Sequence, residues 1–388
     1  SWSIDGVLAA GQTISGAGTL AALTAFTNAG RVLNGFGVTT GATLTNTGTI
    51  GGGATAAVLA SNGAASVANS GTIVGTGIDA LRLVGGGAVN NKSGWLIQGG
   101  PSGVVLLNSG TVANSGTISG SATAVAFAAG GLNRLIYNPG AVFSGVVTAS
   151  VAGTNTLELA SGTGTLSNLN TGFLNFQTIA VATGGNWTMN GTATIGSGTI
   201  VADAGTLTAA SALVNNGLLS TSASARMVLN GAITGTGTIE IGAAARVALS
   251  AGLAAEQSVA FTTTTGTLAI GNAAGFLGVV RGLHLGDTID FTGLTAAGPI
   301  KAALDASTRL KLTSAGTVLA SVQLDPTQNF SGLGFVTASD GAGGTLVTED
   351  PIPVVQSVVT SPGSGAVGVG QTITFTVTFD QAVTVSGG

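Results

Sequence analysis

The chain has 388 residues, of which 6% are charged, 44% are apolar and 66 are glycine, and its net charge is −4. The Lys and Arg residues are scattered apart from Lys301, Arg309 and Lys311, which excludes the concentrated positive field that nucleic-acid binding requires. No run of 18 apolar residues marks a transmembrane helix, and the absence of cysteine excludes disulfide stapling, so an exported chain of this kind must be held by its core.

Recurrent apolar runs separate the chain from a disordered linker. It opens on Ser1, Trp2 and Ser3 without a signal-peptide pattern, as expected of a mature chain or a fragment. An internal repeat then decides the fold. The pattern apolar-x-Asn-x-Gly-x-apolar occupies residues 26–32, 44–50, 67–73, 112–118 and 136–142, with a copy one residue longer at 89–96. Its first apolar positions, Phe26, Leu44, Val67, Val89, Val112 and Ile136, are spaced 18, 23, 22, 23 and 24 residues apart. A second apolar group keeps the same phase: Val58 and Leu59, Leu81 and Leu83, Val104 to Leu107, Val125 and Phe127, Val146 and Val147. Each unit therefore holds two or three short strands between glycine turns. The units read as coils of an all-β, right-handed parallel β-helix, a β-solenoid. Abundant Gly and β-branched residues, with no sustained 3.6 period, argue against helices.

Coils of such a helix stack about 4.8 Å apart, with side chains alternating in and out. On that alternation Ile50, Ile73, Leu96, Ile118 and Val142 are expected to form one inward ladder, with Thr49, Thr72 and Thr117 outside. The motif asparagines are Asn28, Asn46, Asn69, Asn114 and Asn138, with Asn90 and Asn91 in the longer copy. They are expected to bond along the axis to one another or to backbone. The following Gly is expected to supply the left-handed backbone of a corner. Asn69-Ser70-Gly71 and Asn114-Ser115-Gly116 are not glycosylation sequons, because Gly stands third.

Beyond residue 150 the spacing tightens to 19 and 20 residues between Gly198, Gly217 and Gly237. Residues 1–254 thus read as solenoid coils, a rod on the order of 60 Å long if about a dozen coils stack. From residue 255 charge gathers, and 255–350 reads as terminal coils and a polar cap over the open end. Residues 351–388 read as a linker, stiffened by Pro351 and Pro353, and the opening strands of an incomplete immunoglobulin-like β-sandwich. In that segment Ile373, Phe375, Val377 and Phe379 alternate with threonines, which predicts a half-buried strand, and Val383 with Val385 begins another.

Residues able to do chemistry are few. Before residue 200 the only acids are Asp5, Asp79 and Glu158, on different coils, so the paired carboxylates of a glycosidase are not available there. Asp79 and Arg82, three apart on a strand, are expected on opposite faces. His284 is the single histidine and reads as a surface residue of the cap. Asp287 with Asp290, and Glu349 with Asp350, are two candidate calcium positions, against the plainer reading of turn and cap solvation. Asp340-Gly341 reads as a hairpin turn. Gly16-Ala17-Gly18 and Gly51-Gly52-Gly53 precede no helix and are not phosphate loops. Trp2, Trp95 and Trp187 would stack on sugar rings if exposed or fill corners if buried; Trp95, standing where sister coils have Thr, is expected outside. No catalytic residue, cofactor or metal ligand is assigned.

The Asn-Ser-Gly-Thr-Ile coils resemble the passenger regions of bacterial autotransporters and large repeat adhesins. So do residues 155–159, 176–181, 286–290 and 340–346, while residues 370–385 are similar to the opening strands of bacterial immunoglobulin-like repeats. The resemblance covers nearly the whole chain through low-complexity motifs. It implies secretion, display at the bacterial cell surface and attachment to other protein chains or to surface glycans. A complete autotransporter would add an outer-membrane barrel, for which these residues show no pattern. The expected function is therefore a stiff adhesin-type rod. The alternative is a subunit that self-assembles into an extracellular filament or layer by exchanging strands. A carbohydrate-active β-helix enzyme is disfavoured by the missing acid pair.

Overall fold

The computed structural model describes residues 6–16, 18–20, 25–38 and 41–384. Strands make up 55% of the chain and helix 1%, and the strands wind into a parallel β-solenoid of about 13 turns. Trp2, Asp5, Ala17 and Val385 lie outside the described residues.

The repeat motif sets the register. The strands Ala25–Asn28, Thr43–Asn46, Ala65–Asn69, Gly87–Asn91, Gly110–Asn114 and Leu132–Tyr137 pair in parallel, each with the next. Phe26, Leu44, Val67, Val89, Val112 and Leu135 fall opposite one another and are buried to 3% exposure or less. At the end of each strand the asparagines form a continuous interior ladder. Nδ2 of Asn28 donates to Oδ1 of Asn46 at 2.7 Å, Asn46 to Asn69 at 2.8 Å, Asn69 to Asn91 at 2.8 Å and Asn91 to Asn114 at 2.9 Å. The second amide proton meets the carbonyl of a neighbouring corner, as from Asn69 to Leu96 and from Asn91 to Thr117. All five side chains are fully buried. The sixth position belongs to Tyr137, not Asn138; Asn138 instead donates from outside the ladder to the Asn114 carbonyl at 3.0 Å.

The corner glycines act differently from the expectation. Gly48, Gly71 and Gly116 are not left-handed. A Cβ on Gly71 would lie 2.2 Å from the Gly48 carbonyl oxygen, and one on Gly48 2.2 Å from that of Gly30. Glycine is required because the next coil's backbone presses on the corner. Left-handed geometry appears only at Gly94 and Gly140, where an extra residue separates the ladder position from the glycine and a Cβ would meet open space.

After the corner, Ile50, Ile73, Ile97, Ile118 and Phe143 stack inward, all buried except the partly buried Phe143. Leu96 and Val142 stand in the outer row with Thr49, Thr72 and Thr117. The expected inward ladder is thus corrected at two places, because the added corner residue shifts the alternation by one. A third wall aligns Val58, Leu81, Val104, Val125 and Val147. One apolar core runs through the stack from Leu8 to Val347.

Parallel winding continues through Val279–Arg281 on one wall and Thr288–Phe291 on another. Antiparallel pairing then takes over, except that Thr317–Leu324 also runs parallel to Val279–Arg281. Lys301–Leu304, Arg309–Ser314 and Thr317–Leu324 fold back on one another, while Thr345–Pro351 runs antiparallel to Thr288–Phe291 and carries Leu333–Ser339 on its far side. Leu310, Leu312, Val322, Leu324 and Val347 are buried and extend the core cluster at this end. Val355–Ser361 and Thr374–Phe379 form a separate two-stranded antiparallel sheet. The predicted strand is present but not half-buried: Ile373, Phe375 and Val377 are 44%, 64% and 43% exposed, because no second layer covers them. Val383 is not in a strand.

Replacing Asn69 by Ala removes a side chain that bonds to both neighbours and leaves Asn46 Nδ2 and Asn91 Oδ1 short of a partner. We expect a loss of about 2–4 kcal/mol in urea unfolding, against less than about 0.5 kcal/mol for Thr72→Ala on the outer row. Gly71→Ala is expected to exceed the roughly 1–2 kcal/mol left-handed penalty of Gly94→Ala, because only the first forces neighbouring backbones apart.

Candidate functional site

The sequence-derived candidates regroup at the capped end. Asp287 precedes Thr288–Phe291, the last parallel strand of its sheet, and Glu349 lies near the end of the antiparallel strand that covers it; the Thr288–Thr348 pairing makes them register neighbours. Asp287 is fully buried: Oδ1 accepts from the Gly266 backbone N–H at 2.8 Å and Oδ2 from that of His284 at 2.9 Å. The half-exposed imidazole of His284 places Nδ1 3.6 Å from Asp287 Oδ2. Glu349 is 7% exposed and its Oε1 has no partner. The arrangement is an inner pair of carboxyl groups with a histidine at its solvent side.

Burial sets the electrostatics. It pushes the Glu349 carboxyl up to about 7, an effect opposed by His284 and reinforced by the negative Asp287. Burial also raises Asp287, offset by the N–H groups of Gly266 and His284 and by the His284 ring. A chemically similar carboxyl lies deeper in the rod. Asp203, fully buried in the strand Ile200–Asp203, is raised to about 6 by burial, while the backbone N–H groups of Gly205 and Leu207 act in the other direction.

The two expected carboxylate pairs do not assemble as written. Asp290 turns away from Asp287 and pairs with Arg246 at 2.8 Å, reaching back across the coils. Asp350 is exposed while its neighbour Glu349 points inward, the ordinary alternation of a strand. The sequence separated Asp287 from Glu349 by 62 positions (349 − 287), and only the antiparallel return of the cap strand joins them. Among the described residues no three His, Asp or Glu side chains are arranged to hold a metal ion.

The remaining candidates fall into place one by one. Asp79 and Arg82 do meet, at 2.9 Å, with Asp79 only 1% exposed. The expectation of opposite faces fails because Asp79, Ala80 and Leu81 are buried in succession, so alternation breaks at this corner. Glu158 pairs with Arg134 of the preceding coil. Asp340 makes the turn expected of it, its Oδ1 accepting from the N–H of Ala342 and of Gly344, each at 2.7 Å. Trp95 is 41% exposed but stands at the corner, one residue before the outer row, where Leu96 takes the place of Thr. Trp187 is fully buried, with Nε1 donating to the Ala160 carbonyl at 2.7 Å.

No helix among the described residues is long and apolar enough to cross a membrane. No family model matches the chain, and no curated protein matches its sequence.

Glu349 holds its proton more tightly in the folded chain than in the unfolded one. Its contribution to stability is therefore full below about pH 4.5 and falls as pH rises to and beyond 7. Asp203 acts in the same direction over a lower window ending near 6. Thermal melts should show a higher Tm at pH 5 than at pH 8. Glu349→Gln should flatten that slope between about pH 4.5 and 7, where the unfolded chain has released this proton and the folded chain still holds it, and an unchanged slope in this variant would contradict the assignment.

Proposed function

We propose that this chain is the rod of an extracellular, surface-displayed adhesin-type protein, holding an attachment surface away from its anchor point. The observation that carries this reading is the internal stack itself. The side chains most able to bind, the buried asparagines, are committed to one another over successive coils. What remains outside is a long wall with few charges, built on about 13 turns. A stack of that many strands at the usual spacing extends about 60 Å, so the repeat provides reach. Low charge and the lack of cysteine fit a chain that works outside the cell without disulfides. The likeness of its coils to autotransporter passengers and repeat adhesins supports the same reading.

A second reading has one specific observation in its favour. The sheet of Val355–Ser361 and Thr374–Phe379 exposes Val358, Val359 and Phe375 at 57%, 59% and 64%. Exposed apolar strands of this kind pair readily with strands of another molecule. In this reading the chain is a subunit of an extracellular filament, and the sheet joins one copy to the next.

Beads coated with the purified chain should resist detachment under flow from mucin-coated or cellulose-coated glass; detachment no different from albumin-coated beads would sink the adhesin reading. Electron microscopy at high concentration separates the alternative. End-to-end filaments abolished by Phe375→Asp would favour assembly, whereas single short rods would remove it.

A further inference from the structure

The interior ladder ends at Tyr137, and the wall of the solenoid changes there. The positions that follow Tyr137 in register are apolar, Leu159 and then Val181. The second sheet closes with Val142–Ala149, which pairs with Thr117–Phe127 on one side and only with the short strand Phe173–Leu174 on the other, while Gly162–Ser167 starts a separate sheet. Between Ser167 and Phe173 the chain detours through a turn in which Asn168 and Asn170 are left-handed, and Asn175, just past Leu174, is left-handed as well. The detour parts the wall and leaves a cleft of about 200 Å³ that opens to solvent.

Aromatic rings form the inner side of this cleft. Tyr137 and Phe143 meet edge to face with centroids 5.2 Å apart, Phe143 and Phe173 at 5.7 Å, and Tyr137 stacks on Phe173 at 5.6 Å. Behind them the buried Trp187 contacts Tyr137 at 5.1 Å and is itself fixed by its bond to Ala160. Gly164 makes room for it, since a Cβ there would lie 2.5 Å from the indole. The rings are thus pre-positioned by the fold. The outer rim is polar and exposed: Thr165, Ser167 and Asn168. No acid or base other than the Tyr137 phenol lines the cleft, and burial raises that phenol and keeps it neutral.

We propose that this cleft is a binding site for one ring of a neutral polysaccharide. An aromatic floor suits the C–H face of a sugar, and a rim of hydroxyl and amide groups suits its equatorial hydroxyls. The lack of charge selects against phosphate-bearing or uronic-acid ligands. The volume is below the roughly 300–1,000 Å³ of sites that enclose a drug-sized molecule, so the cleft holds a single residue and its openness lets a chain continue on either side. The inference rests on the attachment reading for the setting in which such a polymer is met, but its test reads the cleft directly.

Affinity electrophoresis of the purified full chain in gels containing barley β-glucan, galactomannan or hydroxyethylcellulose, with polygalacturonate as the charged comparison, tests it. At least one neutral polymer should retard the chain, and polygalacturonate should not. Ser167→Trp fills the cleft from its exposed rim without touching the core and should weaken retardation about tenfold or more with an unchanged melting temperature. Tyr137→Phe keeps the packing and should weaken it less. No retardation by any neutral polymer, equal retardation by polygalacturonate, or retardation unaffected by Ser167→Trp would overturn the proposal. Beads that still resist flow while no polymer retards the chain would overturn the cleft alone and leave the attachment reading standing.

Discussion

A parallel solenoid allows one spacing between coils, about 4.8 Å, and every buried polar group must find its partner at that spacing or lose it. The asparagine ladder answers this constraint in the first half of the chain. Each of Asn46, Asn69 and Asn91 both receives and gives an amide bond along the axis, so each coil completes the one before it. The same constraint explains the glycines. Where Asn-x-Gly turns the corner, carbonyl oxygens of the adjacent coil approach so closely that a Cβ cannot be placed. Asparagine and glycine recur together because one supplies the axial bonds and the other the clearance that lets coils come near enough to form them.

Most of this was legible in the residues. The recurrence of Asn28, Asn46 and Asn69 at fixed distance from apolar positions announces stacked coils, and the walls of Val58, Leu81 and Val104 follow from the same phase. The two errors in the inward ladder share a cause: periodicity reports spacing but not insertions. The added residue after Asn91 moves Leu96 outward and Ile97 inward, and the one after Tyr137 does the same to Val142 and Phe143. Alternation also misplaced Asp79 and Arg82, because a corner inside the strand buries consecutive residues. The Asp287–Glu349 cluster was hidden for a different reason. It depends on an antiparallel return, and nothing in either segment specifies which earlier strand it will cover. The aromatic cleft was likewise out of reach, since Tyr137, Phe143 and Phe173 come from three strands that meet only where the wall changes sheets.

The C-terminal end of the stack and the segment that follows it pose opposite problems. At the C-terminal side the antiparallel strands of residues 301–351 cover the core and bring in most of the cap's charge, including pairs such as Arg281 with Asp325 and Lys311 with Asp305. Covering the last coil requires burying Asp287 and Glu349, and the raised carboxyl of Glu349 is the electrostatic consequence. The sheet that follows exposes the apolar residues a covered strand would hide. The rod is thus finished on its own terms, whereas the segment after it presents surface suited to another strand or layer.

The register of the coils can be read directly, because the chain has no cysteine of its own. Thr49, Thr72 and Leu96 are register partners in adjacent strands of one outer row, at a separation within the range a disulfide spans. Oxidation of Thr49→Cys/Thr72→Cys and of Thr72→Cys/Leu96→Cys double variants, followed by peptide mapping, should give intramolecular disulfides in both. Thr49→Cys/Leu96→Cys, two coils apart, should give none. Cross-linking of Thr72→Cys to Ile97→Cys in preference to Leu96→Cys, or efficient bridging across two coils, would contradict the stacking on which the account depends.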